Sequence, residues 1–273
     1  MGGEGGGRRS QILCIFVDML IDTHCHLYDE AFRDDFEAVL ARAREAGVEA
    51  CVMPGIDRSC HDALLAVADA LPDFAFPCIG LHPTSVGADW EEELAFVKTH
   101  LSDRRWYAVG EIGLDGYWSK DFLKEQIRVL EEQIVLAADA GLPVIIHLRE
   151  ATEDFFRVLE DLRGVAFRGV MHAYSGSYET YRRLLAYADF KFGIGGVVTY
   201  KNAGVASALE KMSLDDVVVE TDCPWLTPVP FRGRRNEPSY VRFAAGKIAQ
   251  IKDLPLDSVA AATTENARRL FKL

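Results

Sequence analysis

The sequence lacks the features that mark several large classes of protein. None of its apolar runs reaches the roughly 20 residues that a membrane-spanning helix needs, so a membrane partner is not expected. Its six cysteines form no CxxC pair and no dense, disulfide-like pattern, which favours reduced thiols and a cytoplasmic location. Lysine and arginine number 30 against 42 aspartates and glutamates. The resulting net charge of −12 argues against a protein that holds nucleic acid by general electrostatic attraction.

Nothing in the sequence divides the chain into several domains. It has no internal repeat, low-complexity tract or linker, and 273 residues with 49% hydrophobic content suffice for one large core. The sequence is compatible with a monomer. Residues 1–18 contain a glycine-rich, weakly basic stretch and a short apolar run, but no small-residue cleavage site follows, which disfavours a signal peptide. We predict a disordered or extraneous extension over 1–18 and one domain over 19–273.

From residue 19 onward, short apolar runs alternate with amphipathic stretches. Several runs are nearly continuous in valine or isoleucine, which is typical of parallel strands covered on both faces. The predicted strands are Leu20–Thr23, Ala50–Pro54, Phe76–Leu81, Tyr107–Ile112, Pro143–His147, Gly169–His172, Phe190–Ile194 and Val217–Glu220. The predicted helices include Phe32–Glu45, Cys60–Ala70, Trp90–Leu101, Lys120–Ala140, Tyr178–Ala188, Ser239–Lys252 and Leu256–Phe271.

Eight such strand–helix units favour a closed barrel over an open, doubly wound sheet. An open sheet would carry a glycine-rich phosphate loop after its first strand, and the sequence has none there. The length of the chain is also usual for a single barrel. We therefore predict an α/β protein, a single (β/α)8 barrel of the TIM type, with the last two helices packed outside it.

Residues able to bind metal lie at the ends of the predicted strands. His24 and His26 are two residues apart at the end of the first strand, so both imidazoles leave the same face and can bind one ion. Four further candidates end later strands: Glu111, His147, His172 and Asp222. The carboxyl ends of barrel strands meet at one rim, where barrel active sites lie. Four imidazoles and two carboxylates exceed the needs of one tetrahedral ion, which favours two divalent ions about 3.5–4 Å apart.

Segments at these strand ends resemble the TatD-type metal-dependent deoxyribonucleases, which are related to the amidohydrolase-like barrels. The segments are MLIDTHCHL, GLHP, GEIGLD, IIHLREA, MHAYSGS and ETDCPWL, followed by RGRRNEPSYV and TTENARRLF. The resemblance runs from about Met19 to Leu273. The sequence departs from the family pattern at Ala173-Tyr174, where a Cys-Phe pair is common. Neither position is expected to bind metal, so we expect a changed pocket wall there.

The resemblance implies an assignment of the candidate residues. A first metal would be bound by His24, His26 and Asp222, a second by His147 and His172, and Glu111 would bridge the two. The implied activity is hydrolysis of DNA phosphodiester bonds by water activated between two metals, with Glu111 and Asp222 as catalytic carboxylates and Asp222 as proton acceptor. Exonuclease action on single-stranded DNA or DNA ends follows from the resemblance alone. Magnesium or manganese is favoured for activity, while the nitrogen-rich donor set also suits zinc or iron.

Further residues are predicted to contact the substrate. His82 follows the third strand on the same rim and could bind a phosphate or cap its own loop. Arg149 shares a face with His147 and could pair with a phosphate oxygen or with Glu150 or Glu153.

The loop after the eighth strand carries a charged run, Arg232–Glu237, whose default interpretation is a solvated surface. The resemblance instead places this loop at the rim, with Arg235 attracting the anionic substrate and Glu237 holding a metal-bound water or a ligand. Tyr174 could stack on a base or pack in the pocket wall. Asp22 and Glu220 lie one layer beneath the candidate ligands and could orient them or form buried salt bridges.

Two other functions are compatible with the same residues. The metal centre could hydrolyse a carboxylic ester or amide, as in an aminoacyl-tRNA deacylase or a lactonase. Many amidohydrolase barrels bridge their metals with a modified lysine, whereas the fourth predicted strand offers Glu111 and no nearby lysine. Alternatively, the metals could be structural and the barrel could bind a partner. Suitable ligand types at all six positions count against this alternative.

Overall fold

The computed structural model describes residues 19–273, and the predicted N-terminal extension over 1–18 lies outside the described residues. All eight predicted strands are present, in the predicted alternation with helices. The strands are β1 (Leu20–Asp22), β2 (Val48–Met53), β3 (Ala75–Pro77), β4 (Val109–Asp115), β5 (Val144–Arg149), β6 (Arg168–Met171), β7 (Asp189–Ile194) and β8 (Val217–Val219).

The α-helices form the outer layer. They are α1 (Phe36–Glu45), α2 (His61–Ala70), α3 (Trp90–His100), α4 (Leu123–Asp139), α5 (Thr152–Asp161), α6 (Tyr178–Leu184), α7 (Val205–Lys211), α8 (Val241–Lys252) and α9 (Leu256–Phe271). Their buried positions recur at the spacing of one helical face, as the sequence pattern predicted. Within residues 19–273, no helix combines the length and the apolar character needed to cross a membrane.

The strands close into a ring. Strands β1 to β3 pair in sequence order, and so do β4 to β8, always in parallel. The two groups join after β3, where the Gly110 N–H donates to the Ile79 carbonyl at 2.8 Å. They join again between β8 and β1, where the Thr23 N–H donates to the Val219 carbonyl at 3.0 Å. The predicted TIM-type barrel is therefore confirmed.

The barrel interior is apolar below the rim. Ile145 and Val170 lie two residues before His147 and His172 on their strands, hence on the same face, and both are buried in one cluster. The last turns of α9 contribute to that cluster as well. Because these apolar positions lie toward the amino ends of the strands, α9 closes that end and leaves the histidine end accessible.

Two strands extend beyond their predicted ends. Strand β4 was expected to end at Ile112 and continues to Asp115, and β5 was expected to end at His147 and continues to Arg149. Glu111 therefore lies within β4 and not at its end, which corrects its predicted position. The apolar pattern stops early in β4 because Gly113 and Asp115 are among its last three residues. Hydrophobic periodicity alone therefore underestimates the length of the strand.

Candidate metal centre

Four of the predicted metal ligands lie close together near the carboxyl ends of β1 and β8. His24 Nε2 lies 3.1 Å from His26 Nε2 and 3.1 Å from Glu111 Oε2. Asp222 Oδ1 lies 3.5 Å from the Nε2 atoms of both His24 and His26. His24, His26 and Glu111 are buried, and the Asp222 side chain is 15% exposed. The group thus has one carboxylate that solvent or a substrate can reach.

The other two predicted ligands face Oε1 of Glu111. His147 Nδ1 lies 3.1 Å from Glu111 Oε1. His172 Nε2 lies 3.8 Å from both Glu111 Oε1 and Asp222 Oδ1, and its ring stacks on that of His24 with centroids 3.5 Å apart. All six predicted ligands are therefore brought together at one barrel mouth, with Glu111 between the two groups.

The backbone of Asp222 is held in an unusual conformation. Its φ of 58° lies in the left-handed region, which aspartate adopts more readily than most residues but still at some energetic cost. The Asp222 N–H donates to the His24 carbonyl at 2.8 Å, which fastens the β8 loop to the end of β1. This turn aims the carboxylate into the histidine group.

Hydrogen bonds that involve backbone groups identify the protonated nitrogen of two imidazoles. The Tyr28 hydroxyl donates to the Pro54 carbonyl at 2.6 Å, so it accepts from His26 Nδ1 at 2.7 Å. His26 therefore presents the electron pair of Nε2 to the centre. His82 is arranged in the opposite way, because the Thr84 N–H donates to its Nδ1 at 3.1 Å. Neutral His82 therefore carries its proton on Nε2, which lies 3.4 Å from Glu111 Oε1.

Buried carboxylates contact the imidazoles of His172 and His147. Glu220 Oε1 lies 3.0 Å from His172 Nδ1 and accepts the Ala173 N–H at 2.6 Å. Asp115, which the sequence did not single out, lies 2.9 Å through Oδ2 from His147 Nε2. Such a carboxylate fixes the ring orientation of a histidine and leaves the other nitrogen free to bind a metal. Glu220 is thus placed to orient a ligand, one of its two predicted roles.

Asp22 acts through the backbone instead. It accepts from the Thr221 N–H at 2.9 Å, the Thr221 hydroxyl at 2.6 Å and the His24 N–H at 3.3 Å. Burial raises the pKa of Asp22 to about 8, although the bonds from Thr221 and His24 lower it. Asp22 holds β1 and the segment before Asp222 in register, and among residues 19–273 it forms no salt bridge with a basic side chain.

The charges of the centre favour a cation. Burial raises the pKa of Glu111, but the neighbouring imidazoles outweigh burial and hold this pKa well below its ordinary value. Burial lowers the pKa of His147, yet the hydrogen bonds that its imidazole donates to Asp115 and Glu111 raise the pKa to about 9. Burial also lowers the pKa of His172, and Glu220, Glu111 and Asp222 raise it to about 10. Ionised carboxylates thus stabilise positive charge at this mouth, which a metal ion would supply while leaving the imidazoles neutral.

The donor set fits divalent metal ions. At this mouth, three trios of residues offer donor atoms within 4.8 Å of one another: His24, His26 and Glu111; His24, His172 and Asp222; and His82, Glu111 and His147. Glu111 belongs to two of them, as expected for a bridging carboxylate. His82 fits a different role, because binding a metal through Nε2 would require a proton on the nitrogen that already accepts from Thr84. Without a cation, only one of the facing Nε2 atoms of His24 and His26 can be protonated, whereas a cation could accept electron pairs from both.

A cavity of about 630 Å³ lies above the centre. Arg149 lines it, and its guanidinium stacks on Tyr117 at 3.6 Å from the ring centroid. The predicted alternative, a salt bridge from Arg149 to Glu150 or Glu153, is absent from the described residues. Two tryptophans lie on the cavity rim, Trp118 at 70% and Trp225 at 51% exposure, and composition alone did not mark them.

Three residues that were predicted to contact the substrate bind other groups of the protein instead: Arg235, Tyr174 and Glu237. Arg235 donates to both carboxylate oxygens of Asp35 at 2.7 Å, so its charge is paired away from the cavity. Tyr174 is buried and donates to the Ser177 carbonyl at 2.6 Å. It packs edge-on against Phe192, which is the wall-packing alternative and leaves no face for a base. The changed pocket wall expected at Ala173-Tyr174 stays a prediction.

Glu237 likewise lies away from the predicted metal ligands. It is buried and accepts from Arg42 Nε at 2.9 Å and from Arg42 Nη2 at 2.6 Å, and the Ser239 hydroxyl donates to it as well. The predicted role in holding a metal-bound water is therefore not supported by its position. Glu237 instead fastens the loop after β8 to helix α1.

Replacing Glu237 with glutamine should destabilise the fold without weakening metal binding. The amide has no charge to pair with Arg42, so we expect the free energy of unfolding in urea to fall by about 1–3 kcal/mol. Mn²⁺ affinity measured by calorimetry should stay within about twofold of the parent, since the residue contacts no candidate ligand. The exposed Glu91 provides a matched control as Glu91→Gln. A tenfold loss of Mn²⁺ affinity in Glu237→Gln alone would contradict the structural role.

Comparisons with known proteins identify the family of the chain. The chain matches the family described as TatD related DNase over residues 21–272. It is 41% identical over 256 residues to the uncharacterized metal-dependent hydrolase YabD of Bacillus subtilis strain 168, covering 93% of this chain and 100% of that protein. It is 31% identical over 271 residues to the uncharacterized metal-dependent hydrolase YcfH of Escherichia coli K12, covering 93% and 96%.

A solved structure supports the same relationship. The crystal structure of YjjV, a TatD homologue from Escherichia coli K12, superposes with a TM-score of 0.87 at 30% identity, covering 94% of this chain and 99% of that one. The family match, the relatives and the shared fold all extend over nearly the whole described part of the chain. This protein therefore belongs to the TatD-related family of metal-dependent hydrolases.

Proposed function

We propose that the protein is a deoxyribonuclease that hydrolyses phosphodiester bonds with two divalent metal ions, acting as an exonuclease at DNA ends. The observation that carries the proposal is the convergence of four imidazoles and the Asp222 carboxylate around the buried Glu111. Two magnesium ions or two manganese ions are the favoured cofactors. Bound there, the ions would lower the pKa of a water molecule and neutralise the charge that develops at phosphorus.

Asp222 is suited to take the proton of the attacking water. Burial raises its pKa, but His172 and the other imidazoles outweigh burial and keep the pKa below its ordinary value, so the group is ionised near neutral pH. It lines the cavity and is the accessible carboxylate of the centre. An ionised, positioned carboxylate is the requirement for a general base.

His82 is suited to protonate or hydrogen-bond the leaving oxygen. Its Nδ1 accepts from Thr84, so the proton lies on Nε2, and the side chain lines the cavity. A donor aimed at the place where negative charge develops stabilises that charge more than it stabilises the substrate. His82 would thus act on the substrate and also cap its own loop through the bond from the Thr84 N–H.

Arg149 and the rim tryptophans are suited to the rest of a nucleotide chain. With a net charge of −12, the protein needs local cations to attract DNA, and the Arg149 side chain is bonded to no carboxylate among residues 19–273. Its stacking on Tyr117 leaves the guanidinium edge available for a phosphate oxygen. Trp118 and Trp225 offer exposed rings on which unpaired bases could stack.

A nuclease assay tests the proposal directly. End-labelled single-stranded DNA is incubated with the purified protein and Mg²⁺ or Mn²⁺, with EDTA in a parallel reaction. We expect stepwise shortening that EDTA abolishes, and a loss of at least about 100-fold in Asp222→Asn, since an amide accepts no proton. The exposed Asp62 gives a matched control as Asp62→Asn, which should cleave like the parent.

Other outcomes of this assay would overturn the proposal. Metal-dependent hydrolysis of carboxylic esters or of aminoacyl-tRNA without DNA cleavage would make the protein a carboxylic ester hydrolase. Absence of both activities in a metal-loaded protein would favour a barrel that binds a partner. We also propose a cytoplasmic location, because the five cysteines within residues 19–273 are all free thiols.

A further inference from the structure

Asp115, the last residue of the GEIGLD segment, is a carboxylate beside the metal centre to which neither the sequence analysis nor the proposed reaction assigns a role. It ends β4 and is 1% exposed. Its Oδ1 accepts the backbone N–H groups of Tyr117 at 2.9 Å and Trp118 at 3.1 Å. Its own N–H donates to the Gln126 side chain of helix α4 at 2.9 Å. The carboxylate is therefore fixed in orientation before any contact with the metal centre is considered.

The remaining oxygen of Asp115 faces His147. Oδ2 lies 2.9 Å from His147 Nε2, and His147 Nδ1 lies 3.1 Å from Glu111 Oε1. A carboxylate only accepts, so its partner nitrogen must carry the proton. In the neutral imidazole the other nitrogen, Nδ1, then holds the electron pair, and that atom is the one directed at Glu111.

We propose that Asp115 is a positioning residue that keeps the His147 proton on Nε2, so that Nδ1 binds the second metal ion. This inference rests on the two-metal function proposed above and specifies the ligand atom. Carboxylates that orient a metal-binding histidine in this way raise its basicity and typically contribute 10–100-fold to metal affinity.

The rim loop strengthens this arrangement. The Tyr117 and Trp118 N–H groups hold Asp115, and the Tyr117 ring stacks under the guanidinium of Arg149, two residues beyond His147 on β5. The ends of β4 and β5 are thus joined at the carboxylate and at the stacked pair. A shift of the rim would therefore also shift His147 relative to Glu111.

The variant Asp115→Asn separates the orientation of His147 from the position of the loop. The loop N–H groups can only donate, so the amide oxygen must take the place of Oδ1 and the amide NH₂ must face His147. That NH₂ donates to Nε2 and moves the imidazole proton to Nδ1, where it blocks metal binding. The loop bonds are kept, so the metal-free variant should fold with the rim loop in place.

Calorimetric titration with Mn²⁺ measures the effect without relying on catalysis. We expect one of two binding events to weaken about 10–100-fold in Asp115→Asn and the other to stay within about twofold. Asp57→Asn is the matched control, because Asp57 also accepts from a backbone N–H, that of Ser59, but hydrogen-bonds no candidate ligand. Nitrogen-15 NMR of the metal-free parent, recorded above the His147 pKa of about 9 so that the imidazole is neutral, should report its proton on Nε2, and the variant should report the proton on Nδ1.

The outcomes distinguish this inference from the proposed function. Equal Mn²⁺ affinities in Asp115→Asn and the parent would overturn the positioning role, and so would an unchanged His147 proton position. Conversely, a parent protein that binds two Mn²⁺ ions but cleaves no DNA would contradict the nuclease proposal and leave the role of Asp115 intact.

Discussion

Replacing Glu111 with glutamine should reduce hydrolysis about 1,000-fold or more while the barrel stays folded. In the described part of the chain, Glu111 is the one carboxylate within 3.4 Å of His24, His82 and His147, so a neutral amide there removes the charge that holds both metal positions together. Two bound cations supply several kcal/mol of transition-state stabilisation. A loss of about 4 kcal/mol corresponds to about three powers of ten in rate.

The measurement is kcat/KM for DNA at saturating Mn²⁺, together with a calorimetric titration. Both Mn²⁺ binding events should weaken in Glu111→Gln, in contrast to Asp115→Asn, where only one should. The exposed Glu91 again gives the matched control as Glu91→Gln. Activity of Glu111→Gln within tenfold of the parent would show that the central carboxylate does not bridge the reaction's metals.

Replacing Gly113 with alanine should cause the largest loss of stability among single methyl additions at the centre. Gly113 has a φ of +149°, which a residue with a Cβ adopts only at a cost of about 1–3 kcal/mol. A Cβ there would lie 1.9 Å from the His147 carbonyl oxygen. That neighbour is backbone, so β4 and β5 would have to separate. Overpacking adds about 1–3 kcal/mol, and we expect a total loss of about 2–6 kcal/mol.

Gly141 provides the control for backbone conformation. It follows helix α4 with a φ of +65°, and a Cβ there would meet no heavy atom within 4 Å. Gly141→Ala should therefore cost only the left-handed conformation, about 1–2 kcal/mol. Urea unfolding of both variants measures the difference. If Gly113→Ala were no less stable than Gly141→Ala, the close approach of β4 and β5 would be refuted.

The fold and the group of candidate ligands followed from the sequence to a large extent. Continuous apolar runs separated by amphipathic stretches indicate a parallel barrel, because both faces of each strand must be covered. Once a barrel is inferred, polar residues such as His147 and His172 at the ends of different strands must share one rim. Neither step needs a contact distance, since each depends only on periodicity and topology.

The predictions for the loop after β8 were less successful. Arg235 and Glu237 lie in a charged run near the rim, and the sequence indicated no partner for either. Their partners, Asp35 and Arg42, belong to the first strand–helix unit, about 200 residues earlier, and a charge can reach any carboxylate or guanidinium that the fold brings near. Composition therefore identified the charged residues of this loop but not the residues that they pair with.

The sequence by itself determined the barrel, the rim and the residue types that meet there, because strand periodicity and chain order specify them. Only the tertiary structure decided which nitrogen of each imidazole faces the centre, and that Asp115 and Glu220 lie behind His147 and His172. These choices depend on hydrogen bonds of about 3 Å between side chains from different strands. A linear pattern does not encode such distances, since they arise only when the ring of strands closes.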